Sequence, residues 1–119
     1  MNTWMALIGK YLLTFIAGYL TFALIDGMLV STVAIIALIA TAVNYLIGDL
    51  AILPKYGNVI AAVGDGLMAA VFAYITVLLW PNMAVSWMAL ILFAIIVAIA
   101  EYFFHMYLQS SDKVAPDTE

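Results

Sequence analysis

The sequence predicts an all-α protein, a four-helix transmembrane bundle with up-down-up-down topology. Three observations carry this expectation. Hydrophobic residues make up 69% of the 119 residues and charged ones 8%, and mean hydropathy is +1.22. The apolar residues gather into four runs that can each cross a bilayer, since a spanning helix needs about 20 residues. Short connections between the runs force consecutive helices to be antiparallel neighbours. Transmembrane strands would be shorter segments of alternating polarity, a pattern this sequence lacks.

The first span is expected at about 4–25, opening on Trp4. It resembles a secretory signal only superficially, because no positive segment precedes it and no small-residue cleavage site follows near Ile25. We read it as a retained helix. The second span is expected at about 30–53, before a turn bracketed by Pro54 and Gly57. Asn58 then suits the N-cap of a third span at about 59–80. Pro81 and Asn82 punctuate the connection to a fourth span at about 83–108. Residues 1–109 thus form one transmembrane domain, and 110–119, polar and containing Pro116, are expected as a disordered cytoplasmic tail.

Composition excludes several function classes. The chain has no cysteine, so disulfides, thiolate metal sites and thiol catalysis fall away. No basic patch suits nucleic acid. His105 is the sole histidine and no nucleophile elbow or metallopeptidase motif is present, so we expect no enzymatic activity. The aromatics Trp4, Tyr11, Trp80, Trp87, Tyr102 and Tyr107 fall near span ends, where interfacial anchoring accounts for them.

Orientation rests on three lysines, for the chain has no arginine. Lys10, Lys55 and Lys113 all belong to the side that holds both termini and the second loop. The positive-inside rule then places both termini in the cytoplasm.

The ionisable residues within the spans are the main functional clue, because a charge in hydrocarbon is costly and is normally paired, turned inward or functional. Asp49 lies seven residues before Tyr56 and Asp65 nine after it, so a hairpin sets them at similar depth. Each follows a glycine, Gly48 and Gly64, and Gly66 follows Asp65; such small residues allow close helix approach. Glu101 and His105, at i and i+4, share a face of the fourth helix. Lys10 lies about 9 Å into the first helix at 1.5 Å per residue, so its stem can snorkel to the headgroups or its ammonium can pair internally. Thr41, Asn44 and Gly48 share a face of the second helix, from which Asp49 is turned by about 100°. Lys10, Asn44, Asp49, Asp65, Glu101 and His105 are therefore the candidate polar pocket, at the cytoplasmic side.

Interior stripes are expected along each helix. They are Lys10, Thr14, Ala17, Gly18 and Thr21 in the first; Gly57, Ala61, Asp65, Ala69 and Ala73 in the third; and Ala94, Ala98, Glu101 and His105 in the fourth.

Three chemistries compete for the pocket. Glu101 and His105 with the two aspartates have the composition of a divalent-metal site, but their spacing is not the Glu-x-x-His of di-iron bundles. We therefore expect no metal and no cofactor. Neighbouring carboxylates can share a proton, which is the equipment of a proton- or cation-coupled transporter or channel subunit. A network that only holds helices together is the third and commonest outcome.

The segment Asn44-Tyr-Leu-Ile-Gly-Asp-Leu-Ala-Ile-Leu-Pro-Lys-Tyr-Gly-Asn58, continuing to Asp65, resembles the YndM-like family of four-helix membrane proteins of Bacillus-type bacteria. The resemblance implies a bacterial plasma membrane and carries no activity. Small multidrug transporters have a similar length and four helices, yet their essential glutamate lies in the first helix, where this chain offers Lys10. The expectation is a non-enzymatic plasma-membrane protein with a structural or partner-binding role, a coupled transporter or channel subunit being the alternative. Its partners would be the lipid bilayer, a second copy or another membrane protein, and a proton or cation, with no nucleic acid.

Overall fold

A computed structural model of the chain describes residues 3–80 and 84–111, with the side chains of all of these except Thr3, Asp49, Pro54 and residues 108–111. The four helices follow in order. α1 is continuous over residues 3–26, as Thr3–Gly18, a π-helical turn Tyr19–Ala23, and Leu24–Asp26. α2 covers residues 30–56, as Val30–Val43, a π-helical stretch Asn44–Ile52, and Leu53–Tyr56. α3 is Asn58–Leu79 and α4 is Trp87–Ser111. Each contains a segment long and apolar enough to cross a membrane: Trp4–Asp26, Val30–Ile52, Asn58–Leu79 and Trp87–Tyr107. The expected four-helix bundle is the observed fold.

Two connections differ from expectation. The turn after α2 is not the four residues from Pro54 to Gly57, because the helix runs on to Tyr56 and reverses at Gly57 alone. Gly57 has φ +91°, a conformation that favours glycine. Pro54 stands in the first turn of the last α-helical segment, where its missing N–H falls at the end of the wider π-helical ladder. The second difference is the start of α4, expected at Met83. Residues 81–83, including Pro81 and Asn82, lie outside the described residues, and 84–86 are not helical. Ser86 is the reason: its hydroxyl accepts the Ala89 N–H at 3.1 Å as an N-cap, and its own N–H donates to Asp26 Oδ2 at 2.9 Å. This contact ties the end of α1 to the beginning of α4. Residues 112–119 of the expected tail lie outside the described residues.

The faces sort as lipid requires, with large aliphatics such as Leu12, Ile16, Leu38, Leu67, Ile91 and Ile99 exposed and alanines and threonines inside. Lys10, Thr14, Ala17 and Thr21 are buried along α1, and Ala61, Asp65, Ala69 and Ala73 along α3. In α4 the stripe is shifted. Leu90, Phe93, Val97, Glu101 and His105 are buried, whereas Ala94 and Ala98 are half-buried on the flank that meets Gly66. A Cβ on Gly66 would run into the Ala94 carbonyl oxygen, so this glycine sets how closely α3 and α4 approach. Among the described residues Gly64 has no such role, a Cβ there meeting Ile52 Cδ1 at 3.9 Å.

The half of the bundle away from the termini is filled by an apolar cluster including Phe22, Met28, Val33, Ile36, Leu90 and Phe93. The rings of Phe22 and Phe93 lie 4.7 Å apart at its centre. The hydroxyls of Thr14, Thr21 and Thr76 donate to the carbonyls four residues back, at 2.8, 2.8 and 2.7 Å. These threonines thereby satisfy themselves within their own helices and present mainly methyl groups to the core.

Candidate functional site

A buried polar centre sits near the end of the bundle where α1 begins, α2 turns into α3, and α4 finishes. Lys10 on α1, Asp65 on α3, and Glu101 and His105 on α4 are each 0–1% exposed. Lys10 Nζ donates to Glu101 Oε1 at 2.5 Å and lies 3.9 Å from Asp65 Oδ2. Of the two fates open to Lys10, the structure takes the internal pair over snorkelling. The Phe104 ring, 5.4 Å from the ammonium, adds a cation–π contact. His105 Nε2 lies 3.2 Å from Asp65 Oδ2 and 3.4 Å from Glu101 Oε1. Three helices thus place ionisable groups on one another in a fully buried volume.

α2 closes the fourth side with a glycine. Gly48 is buried, and a Cβ there would overlap the Asp65 carboxylate. Asn44, one turn deeper on the same face, is completely buried. Neither atom of its carboxamide has a hydrogen-bond partner among the described residues, and the same holds for the Thr41 hydroxyl. Asp49 lies within the π-helical stretch of α2, but its side chain, and so its distance from Asp65, falls outside the described residues.

Asn58 is the residue that sequence reasoning misplaced. It does not cap α3: Gly57 holds that position and no side-chain cap forms. Instead Asn58 Nδ2 donates to the Tyr102 carbonyl at 2.9 Å, and Asn58 Oδ1 faces His105 Nδ1 at 3.0 Å. No sequence signal marks this role, because the one-residue reversal that puts Gly57 rather than Asn58 at the cap position is visible only in the fold.

One ligand atom each from Asp65, Glu101 and His105 lie within 4.8 Å of one another, close enough to share a metal ion. A cation there would have to displace the Lys10 ammonium from Glu101 Oε1. Glu101 Oε1 is already engaged by that ammonium, and we do not assign these residues as metal ligands.

Four lipid-compatible helices around a desolvated ionic core define a small multi-pass membrane protein. The chain belongs to the family described as "Protein of unknown function (DUF2512)", whose model matches residues 1–117. No curated protein and no solved structure matches it.

Proposed function

We propose that this chain is a non-enzymatic membrane subunit with a structural or partner-binding role, whose polar centre clamps α1, α3 and α4 together. One observation carries the reading: the buried Lys10 ammonium of α1 pairs with Glu101 of α4 at 2.5 Å and lies 3.9 Å from Asp65 of α3. Helices in lipid gain little from apolar contact alone, so polar contacts of this kind fix which faces meet. The apolar plug around Phe22 and Phe93 supports a closed bundle over a through-passage. The partner would be a second copy or another membrane protein, with lipid covering the rest. The YndM-like likeness and the three lysines support a bacterial plasma membrane with cytoplasmic termini, which puts the polar centre on the cytoplasmic side.

A second reading, a proton- or cation-coupled transporter or channel subunit, is favoured by the buried Asn44 carboxamide and Thr41 hydroxyl on the α2 face that meets Asp65. Proteoliposome flux separates the two. The clamp reading expects no proton or alkali-cation flux from the native protein and loss of folding when one partner of the network is removed. Native flux that vanishes in a well-folded Asp65→Asn variant would overturn it in favour of transport.

A further inference from the structure

We propose that Thr41 and Asn44 of α2 line a buried hydration site, in which an ordered water bridges the Asn44 carboxamide to Oδ1 of Asp65 and so ties α2 to the polar centre. The argument starts from what α2 buries. Asn44 is 0% and Thr41 5% exposed, and among the described residues neither the carboxamide nor the hydroxyl has a hydrogen-bond partner. Thr14, Thr21 and Thr76 donate to carbonyls of their own helices. The Thr41 hydroxyl does not, although the Ala37 carbonyl stands at the same four-residue spacing. A membrane interior has no bulk water to receive such groups, so burying them dry is costly. Ordered water is the usual remedy for buried polar atoms that find no protein partner.

Geometry supplies the other end of the bridge. The point where a Cβ on Gly48 would stand is nearer to Asp65 Oδ1 than to Oδ2, which lies 3.2 Å from it. Oδ2 is the oxygen that faces Lys10 and His105, so Oδ1 is the one turned to α2. Asn44 precedes Gly48 by four residues, and Cβ positions so spaced on a helix are about 5–6 Å apart. Asn44 also opens the π-helical stretch of α2, whose wider turns keep the two positions adjacent. No direct bond joins the carboxamide to the carboxylate across this span, and one water completes it. That water donates to Asp65 Oδ1 and accepts from Asn44 Nδ2. Its second hydrogen serves Thr41 Oγ1, directly or through a second water. A carboxylate oxygen takes more than one donor, so the bridge stands whatever else Asp65 binds. It rests on neither the clamp nor the transport reading, and its failure leaves both as they were.

The experiment is magic-angle-spinning NMR of the ¹³C,¹⁵N-labelled full chain in phosphatidylcholine–phosphatidylglycerol bilayers. It reads polarisation transfer from water protons at mixing times short against amide exchange. The chain has four asparagines, so the Asn44 signal is identified by its loss in Asn44→Leu, and that of Asp65 by its loss in Asp65→Asn. We expect transfer to Asn44 Nδ2 and to Asp65 Cγ in the native protein, with the Asp65 transfer severalfold weaker in Asn44→Leu. A silent Asn44 beside a responsive amide at the exposed Tyr56 would overturn the proposal. Undiminished transfer to Asp65 in Asn44→Leu would mean that the two residues share no water, which removes the bridge. Asp49 lies on the same helix with its side chain outside the described residues, so Asp49→Asn is the control and should leave the Asn44 transfer unchanged. Its loss there would give the bridge to Asp49 and overturn the assignment to Asp65. An Asn44 chemical shift that follows sodium or potassium concentration would put a cation in place of the water and overturn it as well. The native spectrum decides whether Asn44 is hydrated even where a variant fails to fold.

Discussion

Gly48 of α2 lies against Asp65 of α3 so closely that no side chain fits between the helix backbone and the carboxylate. The contact is steric, and it brings the π-helical part of α2 up to the polar centre without adding a charge of its own.

Replacing Gly48 by Ala should therefore destabilise the protein, whereas Gly64→Ala should not. The first substitution forces Asp65 out of its place, an overpacking cost of about 1–3 kcal/mol. Among the described residues the second meets only Ile52 Cδ1 at 3.9 Å, and it removes a mid-helix glycine, which gains about 0.5–1 kcal/mol. Thermal unfolding of both variants in one detergent gives the comparison, and equal behaviour would remove Gly48 from the site.

Gly66→Ala should be worse tolerated than Gly48→Ala. Its added methyl meets the Ala94 carbonyl oxygen, and helix backbone yields less readily than the end of a side chain. We expect α3 and α4 to be pushed apart. A disulfide-forming pair engineered across the α3–α4 contact should then crosslink more slowly, and an unchanged rate would show that the helices accommodate the methyl.

The bundle itself was legible in the sequence because lipid imposes it: four apolar runs and short connections leave few other arrangements. So was the inward direction of Asp65, Glu101 and His105 by helical spacing, whereas the spacing left Lys10 open between snorkelling and an internal pair. Other features depended on geometry that periodicity does not carry. The α4 stripe was shifted because Phe93 and Val97, rather than Ala94 and Ala98, fill the interior, and hydrophobic residues on both faces of α4 hide which one turns inward. Asn58 was read as a cap because its residue type suits one, while the reversal at Gly57 consumes the capping position. The π-helical stretch of α2 has no marker in composition at all.

Asn58 offers a test of that corrected role. Serine is as good an N-cap as asparagine, so Asn58→Ser should be neutral for a capping residue. Serine is too short to bridge Tyr102 and His105, so here both Asn58→Ser and Asn58→Ala should cost about 1–3 kcal/mol by taking the Asn58 contact from the buried His105 ring. Detergent melting curves of the two variants decide between the roles, and a native-like Ser variant would return Asn58 to the cap.

At the opposite end, Ser86→Ala should cost about 1 kcal/mol by removing the N-cap of α4. Asp26→Asn retains an acceptor for the Ser86 N–H but not the charge beside a helix N-terminus, a loss of about 0.3–1 kcal/mol. Amide exchange of the first turn of α4 should speed up more in the serine variant than in the asparagine one. The reverse order would mean that the charge, rather than the cap, holds this corner.

The clamp itself is tested by a double-mutant cycle on Lys10 and Glu101. Removing one member of a buried pair strands the other, at a cost of about 3–5 kcal/mol, whereas replacing both by apolar groups of similar size is often neutral. Lys10→Met should leave Glu101 and Asp65 facing His105 without the ammonium, and Glu101→Leu should leave Lys10 short of the oxygen it binds at 2.5 Å. Each single variant should melt well below the native protein. The double variant should recover much of the loss, in part only, because Lys10 also lies 3.9 Å from Asp65 and His105 also faces Glu101. Additive losses in the double variant would mean that the two side chains act separately, and the pairing of α1 with α4 would then need another source.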